Sequence, residues 1–109
     1  CGAIAKAGLP ARVMIDASHA NSSKKPENQP LVIADIAVQI EAGERRIVGA
    51  MVESHLVGGR QDLLEGHPLA YGQSITDGCI DWDESVRVLE RLAAAVRRRR
   101  AVAKDELAA

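Results

Sequence analysis

The sequence predicts an α/β fold with parallel strands, the C-terminal part of a (β/α)8 TIM barrel containing about three β/α units. Three observations lead there. Continuous aliphatic runs, which suit strands buried on both faces, alternate with helical patterns, and that alternation implies parallel strands joined by helical crossovers. Each of three apolar stretches ends on a side chain able to bind a metal: Val13 to His19, Ile47 to Glu53 and Ser74 to Asp77. Functional side chains of (β/α) barrels collect where strands give way to loops, so this placement favours a barrel over an open doubly wound sheet. No G-x-G-x-x-G follows any strand, which removes the usual dinucleotide fingerprint.

The elements follow in order. Cys1 to Pro10 reads as the tail of a helix already under way. A first strand is expected from about Arg12 to Ser18, then a polar loop from His19 to Gln29, then a helix from near Pro30, where proline needs no donor. Ile33, Ile36, Ala37 and Ile40 recur at helical spacing, and Gly43 supplies a left-handed residue to end the helix. The second strand runs from Ile47 to Glu53, ahead of a loop at Gly58-Gly59. Between Gln61 and Tyr71 the Gly66-His-Pro68 break limits any helix to a short turn. A third strand is expected at about Gln73 to Thr76, before a long helix from Trp82 to about Val102. Asp81 and Glu84 form a capping box at its start. Val86, Leu89, Leu92, Ala93 and Val96 make its expected buried stripe, Trp82 is expected against the sheet, and Arg97 to Arg100 a solvated, dipole-complementing end.

Composition narrows the function classes. A barrel of this kind needs roughly 250 residues, so 109 residues opening on Cys1 read as a single unit, residues 1–109, lacking the N-terminal part of its barrel. With one Trp, one Tyr and no Phe, the core must be aliphatic. A net charge of −1 provides no basic field for nucleic acid, and no apolar run approaches the roughly 20 residues of a membrane span. Two widely separated cysteines fit a reducing compartment, hence the cytoplasm.

His19, Glu53 and Asp77 together would form a borderline-hard site for a divalent ion such as Mn²⁺, Fe²⁺ or Zn²⁺, with room left for substrate. Around them, His55 shares a strand face with Glu53 and is a candidate to support a ligand or face substrate. Lys24 and Lys25 lie on the loop leaving the first strand, either as phosphate contacts or as a solvated loop. Asp16 alternates away from His19, which favours a hydrogen bond between strand and helix over orienting a ligand. Cys79 is most simply a small packing residue, and Arg45 and Arg46 are structural.

Three segments in register carry a family resemblance: Met14-Ile-Asp-Ala-Ser-His-Ala-Asn-Ser-Ser-Lys24, Gly49-Ala-Met-Val-Glu-Ser-His-Leu56 and Pro68-Leu-Ala-Tyr-Gly-Gln-Ser-Ile-Thr-Asp77. They resemble the C-terminal part of class I 3-deoxy-D-arabino-heptulosonate 7-phosphate (DAHP) synthase. The resemblance implies a (β/α)8 transferase that condenses phosphoenolpyruvate with erythrose 4-phosphate and releases phosphate. That reaction opens the shikimate pathway of aromatic amino acid biosynthesis. It further implies a divalent metal (Mn²⁺, Fe²⁺, Co²⁺ or Zn²⁺) on His19, Glu53 and Asp77, and a homo-oligomer when the chain is complete. The family's cysteine ligand and its Lys-Pro-Arg-Thr-Ser segment have no counterpart here, and neither Cys1 nor Cys79 matches that cysteine. The competing expectation is a non-catalytic half-barrel that binds metal or a partner.

Overall fold

The computed structural model describes residues 1–108. A single-turn helix, α1 (Gly2–Lys6), precedes strand β1 (Val13–Asp16). A 3-10 turn at Pro26–Asn28 then leads directly into helix α2 (Gln29–Glu41), which is followed by β2 (Ile47–Met51) and α3 (Trp82–Ala108). The two strands pair in parallel, with Met14 opposite Gly49, Ile15 opposite Ala50 and Asp16 opposite Met51. Both strands lie where the aliphatic runs placed them and stop short of Ser18 and Glu53, so the candidate ligands sit in loops beyond the strand ends.

Helix α2 matches its sequence pattern closely. Ile33, Ile36, Ala37 and Ile40 are buried, and Gly43 ends the helix at φ 103°, a conformation that glycine adopts without steric cost. These side chains join Ala17, Ile47, Ile80, Val88 and Ala95 in one aliphatic core between sheet and helices. The opposite sheet face is largely open, with Met14 and Val48 mostly exposed.

The third strand departs from expectation. Residues 73–76 form no strand, only an isolated parallel bridge from Ser74 to Arg60; the parallel contact beside the extension of β2 comes from Ile80, bridged to Ser54, while Cys79 bridges Gly59 in the antiparallel sense. Ile80 donates its N–H to the carbonyl of Glu53 and accepts from the N–H of His55. The reason is burial: Gln-Ser-Ile-Thr offers one aliphatic side chain, and Ile75 stays largely exposed, whereas Cys79 and Ile80 are both buried. The segment from Val57 to Gln73 contains no helix. Its shape comes from amide side chains instead. Gln61 Nε2 donates to the carbonyls of Ala70 and Gln73 while its Oε1 accepts from the N–H of Ala70, and Gln73 Nε2 donates to the carbonyl of Gly58.

Helix α3 begins as expected, with Asp81 Oδ1 accepting from the N–H of Glu84 at 2.8 Å. The capping box is only half formed, because the Glu84 carboxylate turns to Arg87. Its buried stripe is rotated from the predicted one. Val88 and Ala95 are buried and Leu92 and Val96 partly so, while Val86, Leu89 and Trp82 are exposed. Nor is the arginine run wholly solvated. Arg99 is half-buried and donates to the carbonyl of Glu44 at 2.8 Å, and Arg91 pairs with Glu41. These cations fasten α3 to the turn joining α2 and β2.

In that turn the Glu44 carboxylate accepts from the N–H, Nε and Nη2 of Arg46, which pull its pKa down from 4.5 to about 2. A carboxyl depressed in the folded state contributes stability that is complete above 4.5 and lost as pH falls toward 2. Thermal melts of a Glu44→Gln variant should therefore differ from the parent above pH 4.5 and converge with it as pH approaches 2. A gap that is independent of pH would contradict this.

Candidate metal centre

His19 follows β1 in a left-handed backbone conformation, φ 50°, uncommon outside glycine though tolerated by histidine. Its ring is fixed at one nitrogen. Asp16 Oδ2 and Ser18 Oγ each lie 2.9 Å from Nδ1. Because the carboxylate can only accept, Nδ1 carries the proton in this arrangement, and the neutral ring presents the Nε2 lone pair outward. Asp16 is held in turn by the N–H and hydroxyl of Ser18. It orients His19 rather than bridging strand and helix, because the chain turns sharply after β1 and cancels the strand alternation.

Glu53 lies beyond the end of β2, yet its backbone is tied on both sides. Its N–H donates to Gln29 Oε1 at 2.8 Å, and its carbonyl accepts from Gln29 Nε2 at 3.1 Å and from the N–H of Ile80 at 3.0 Å. Asp77 precedes the Cys79-Ile80 pairing, separated from it by Gly78. A Cβ at Gly78 would come within 2.9 Å of Pro26 Cγ, so glycine permits this close approach.

These loops bring one donor atom from each of His19, Glu53 and Asp77 within 4.8 Å of one another. His19 Nε2 is 3.1 Å from Glu53 Oε1 and 3.4 Å from Asp77 Oδ2. Ligand bonds of roughly 2.0–2.2 Å place neighbouring donors about 3.0–3.5 Å apart, so the two distances from His19 fit a small divalent ion. The donor set, one imidazole and two carboxylates, suits first-row metals.

Electrostatics agree with the geometry. The hydrogen bond with Asp16 raises the His19 pKa, partly opposed by desolvation, and the Glu53 and Asp16 charges raise it further. Asp16 is lowered, chiefly by its hydrogen bond from Ser18 and then by that from His19. The imidazole is thus a strengthened base facing two carboxylates.

The remaining predicted residues divide. Lys24 borders the same cavity of about 290 Å³, in a left-handed turn at φ 60°. His55 does not join it: β2 has ended, and the exposed ring folds back so that Nδ1 accepts from the N–H of Leu56. Cys79 is buried, its pKa raised mainly by that burial, and its thiol donates to the carbonyl of Asp77. Among the cavity residues that escaped the sequence reading are Gln29 and Arg60. A polar side chain at the first turn of an amphipathic helix, on the same face as Ile33 and Ile36, was the available signal for Gln29.

A family model described as "DAHP synthetase I family" matches residues 2–90. The chain belongs to this family. It is 60% identical over 95 residues to the Phe-sensitive phospho-2-dehydro-3-deoxyheptonate aldolase of Escherichia coli K12, covering 87% of this chain and 27% of that protein. Against the phospho-2-dehydro-3-deoxyheptonate aldolase of Corynebacterium glutamicum the identity is 51% over 108 residues, covering 93% and 30%. A solved structure of the Francisella tularensis phospho-2-dehydro-3-deoxyheptonate aldolase superimposes with a TM-score of 0.83 at 48% identity, covering 90% of this chain and 29% of that one. The chain therefore spans only a little over a quarter of the length of these DAHP synthetase I relatives. The resemblance read from the three sequence segments is borne out at the level of the family.

Proposed function

We propose that the chain is the C-terminal part of a (β/α)8 barrel DAHP synthase, and that it supplies three protein ligands of the enzyme's divalent metal. The observation that carries this reading is the convergence of His19, Glu53 and Asp77 from three separate loops. When bound, the ion supplies Lewis acidity for the aldehyde oxygen of erythrose 4-phosphate, where negative charge develops as the enol carbon of phosphoenolpyruvate attacks. Asp16 holds the His19 ring so that Nε2 faces the metal position. Glu53 and Asp77 provide the charge that retains a dication. Lys24 sits at the cavity edge as a cation complementary to a substrate phosphate. Among the described residues no helix is long and apolar enough to cross a membrane, and we place the complete enzyme in the cytoplasm as a homo-oligomer.

The test is phosphate release from phosphoenolpyruvate plus erythrose 4-phosphate by this chain combined with the N-terminal part of the barrel. Release with Mn²⁺ that chelator abolishes is the expected result. No release from a folded, metal-loaded mixture would favour the non-catalytic half-barrel.

Asp16→Asn isolates the support given to His19. Partners that orient a ligating histidine typically contribute 10- to 100-fold in metal affinity, so Co²⁺ affinity should fall by about that much. The pH profile should move as well. A proton and a metal compete for Nε2, so affinity in the parent should climb with pH through a window above 6.5, and in the variant that window should shift downward. Unchanged affinity and an unchanged profile would remove Asp16 from the site.

A further inference from the structure

Gln29 is fully buried at the first residue of α2, on the face that carries Ile33 and Ile36 into the core. A buried amide must satisfy both its donor and its acceptor. This one does so on a single neighbour, taking the N–H of Glu53 on Oε1 and giving Nε2 to the carbonyl of Glu53. That is the pairing an adjacent strand would make, supplied instead by a side chain at a point where β2 has already ended. The same carbonyl also accepts from Ile80, so α2, the extension of β2 and the Cys79-Ile80 segment meet at one peptide unit. The Glu53 carboxylate hangs from that unit, with Oε1 3.1 Å from His19 Nε2.

We infer that Gln29 is a positioning residue: its two-point clamp fixes the backbone of Glu53 and thereby sets the glutamate as a metal ligand. The inference rests on the metal reading above. It requires the amide as such, because an apolar side chain of equal size would fill the core yet leave the Glu53 N–H unpaired and its carbonyl held by Ile80 alone, loosening the hold on its carboxylate beside His19. It also gives α2 a defined role, since the rigid hydrophobic stripe behind Gln29 holds the clamp still.

The test compares the parent with Gln29→Met, which keeps the length and loses both hydrogen bonds. Two readouts are taken: Co²⁺ affinity from visible ligand-field absorption, and hydrogen exchange of the Glu53 amide by NMR without metal. The expected result is a Co²⁺ affinity lower by about 10- to 100-fold, with the Glu53 amide exchanging faster while the sheet amides of Val13 and Ala17, which donate to the carbonyls of Arg46 and Met51, keep their protection. Faster exchange with undiminished Co²⁺ affinity overturns the inference, as does lower affinity with Glu53 exchange unchanged. Should Gln29→Met fail to fold, the parent alone decides. Its Glu53 N–H has Gln29 as its hydrogen-bond partner, so slow exchange there supports the clamp and fast exchange overturns it. A parent chain that takes up no Co²⁺ overturns the metal reading and the inference with it, and Glu53 exchange then shows separately whether the clamp itself exists.

Discussion

Glu53→Gln should lower divalent metal affinity by at least on the order of 100-fold, the upper end of what residues that merely support a ligand contribute. In the reconstituted enzyme it should also abolish metal-dependent phosphate release. The substitution changes one atom and one charge. The backbone bonds from Gln29 and Ile80 involve only the peptide groups of residue 53 and remain available. What is lost is the carboxylate 3.1 Å from His19 Nε2. A neutral amide oxygen is a weaker ligand, and Asp77, its side chain 67% exposed, remains the only carboxylate in the three-residue set. Without metal the variant should melt much as the parent does, since the structural role of residue 53 lies in its backbone. Glu90→Gln, on the exposed side of α3, serves as the control for removing one negative charge and should leave metal affinity unaltered. Isothermal titration with Mn²⁺ reads the affinity, and a Glu53→Gln chain that binds like the parent would sink the metal assignment.

How much of this site was legible in the sequence depends on the range of the interaction that makes it. Runs such as Val13-Met-Ile and Ile47-Val-Gly declare strands because a strand buried in a sheet is selected residue by residue for aliphatic side chains. Helix α2 and the Asp81 cap are equally local, so both were legible. The contact beside β2 was not, because it consists of isolated bridges at Cys79 and Ile80, made by Gly59 and by the backbone of Glu53 to His55 elsewhere in the chain. Helix α3 was read with the stripe of Val86 and Leu89, whereas the helix buries Val88 and Ala95. The helix is also tied by Arg91 reaching Glu41 and Arg99 reaching the Glu44 carbonyl, long-range contacts that no periodicity encodes. The three candidate ligands were picked by their chemistry at the ends of apolar runs, and the fold brings them within 4.8 Å of one another. The supporting residues divided by sequence distance: Asp16 is three positions from His19 but required the turn after β1, and Gln29 is 24 positions from Glu53.

Ile33→Ala should cost about 2–5 kcal/mol, the usual loss for a buried large aliphatic in a core that collapses only partly. Ile33 is 1% exposed at the centre of the α2 stripe, between the sheet and the packed α3. Against a total stability of roughly 5–15 kcal/mol for a domain, that loss is a large fraction, and this chain has one sheet face still open. The consequence reaches the site, because Ile33 stands one helical turn after Gln29 on the same face. A cavity beneath it lets the start of α2 shift inward, and the Gln29 amide moves with it. Stability and metal affinity should therefore fall together in Ile33→Ala, in contrast to Gln29→Met, where affinity falls more than stability. Leu31→Ala supplies the comparison: Leu31 is 67% exposed on the opposite side of the helix and should change both by little. Urea midpoints measured beside Co²⁺ titrations separate the cases. If Ile33→Ala lost stability while binding Co²⁺ as tightly as the parent, the core would be shown to hold α2 without governing the site.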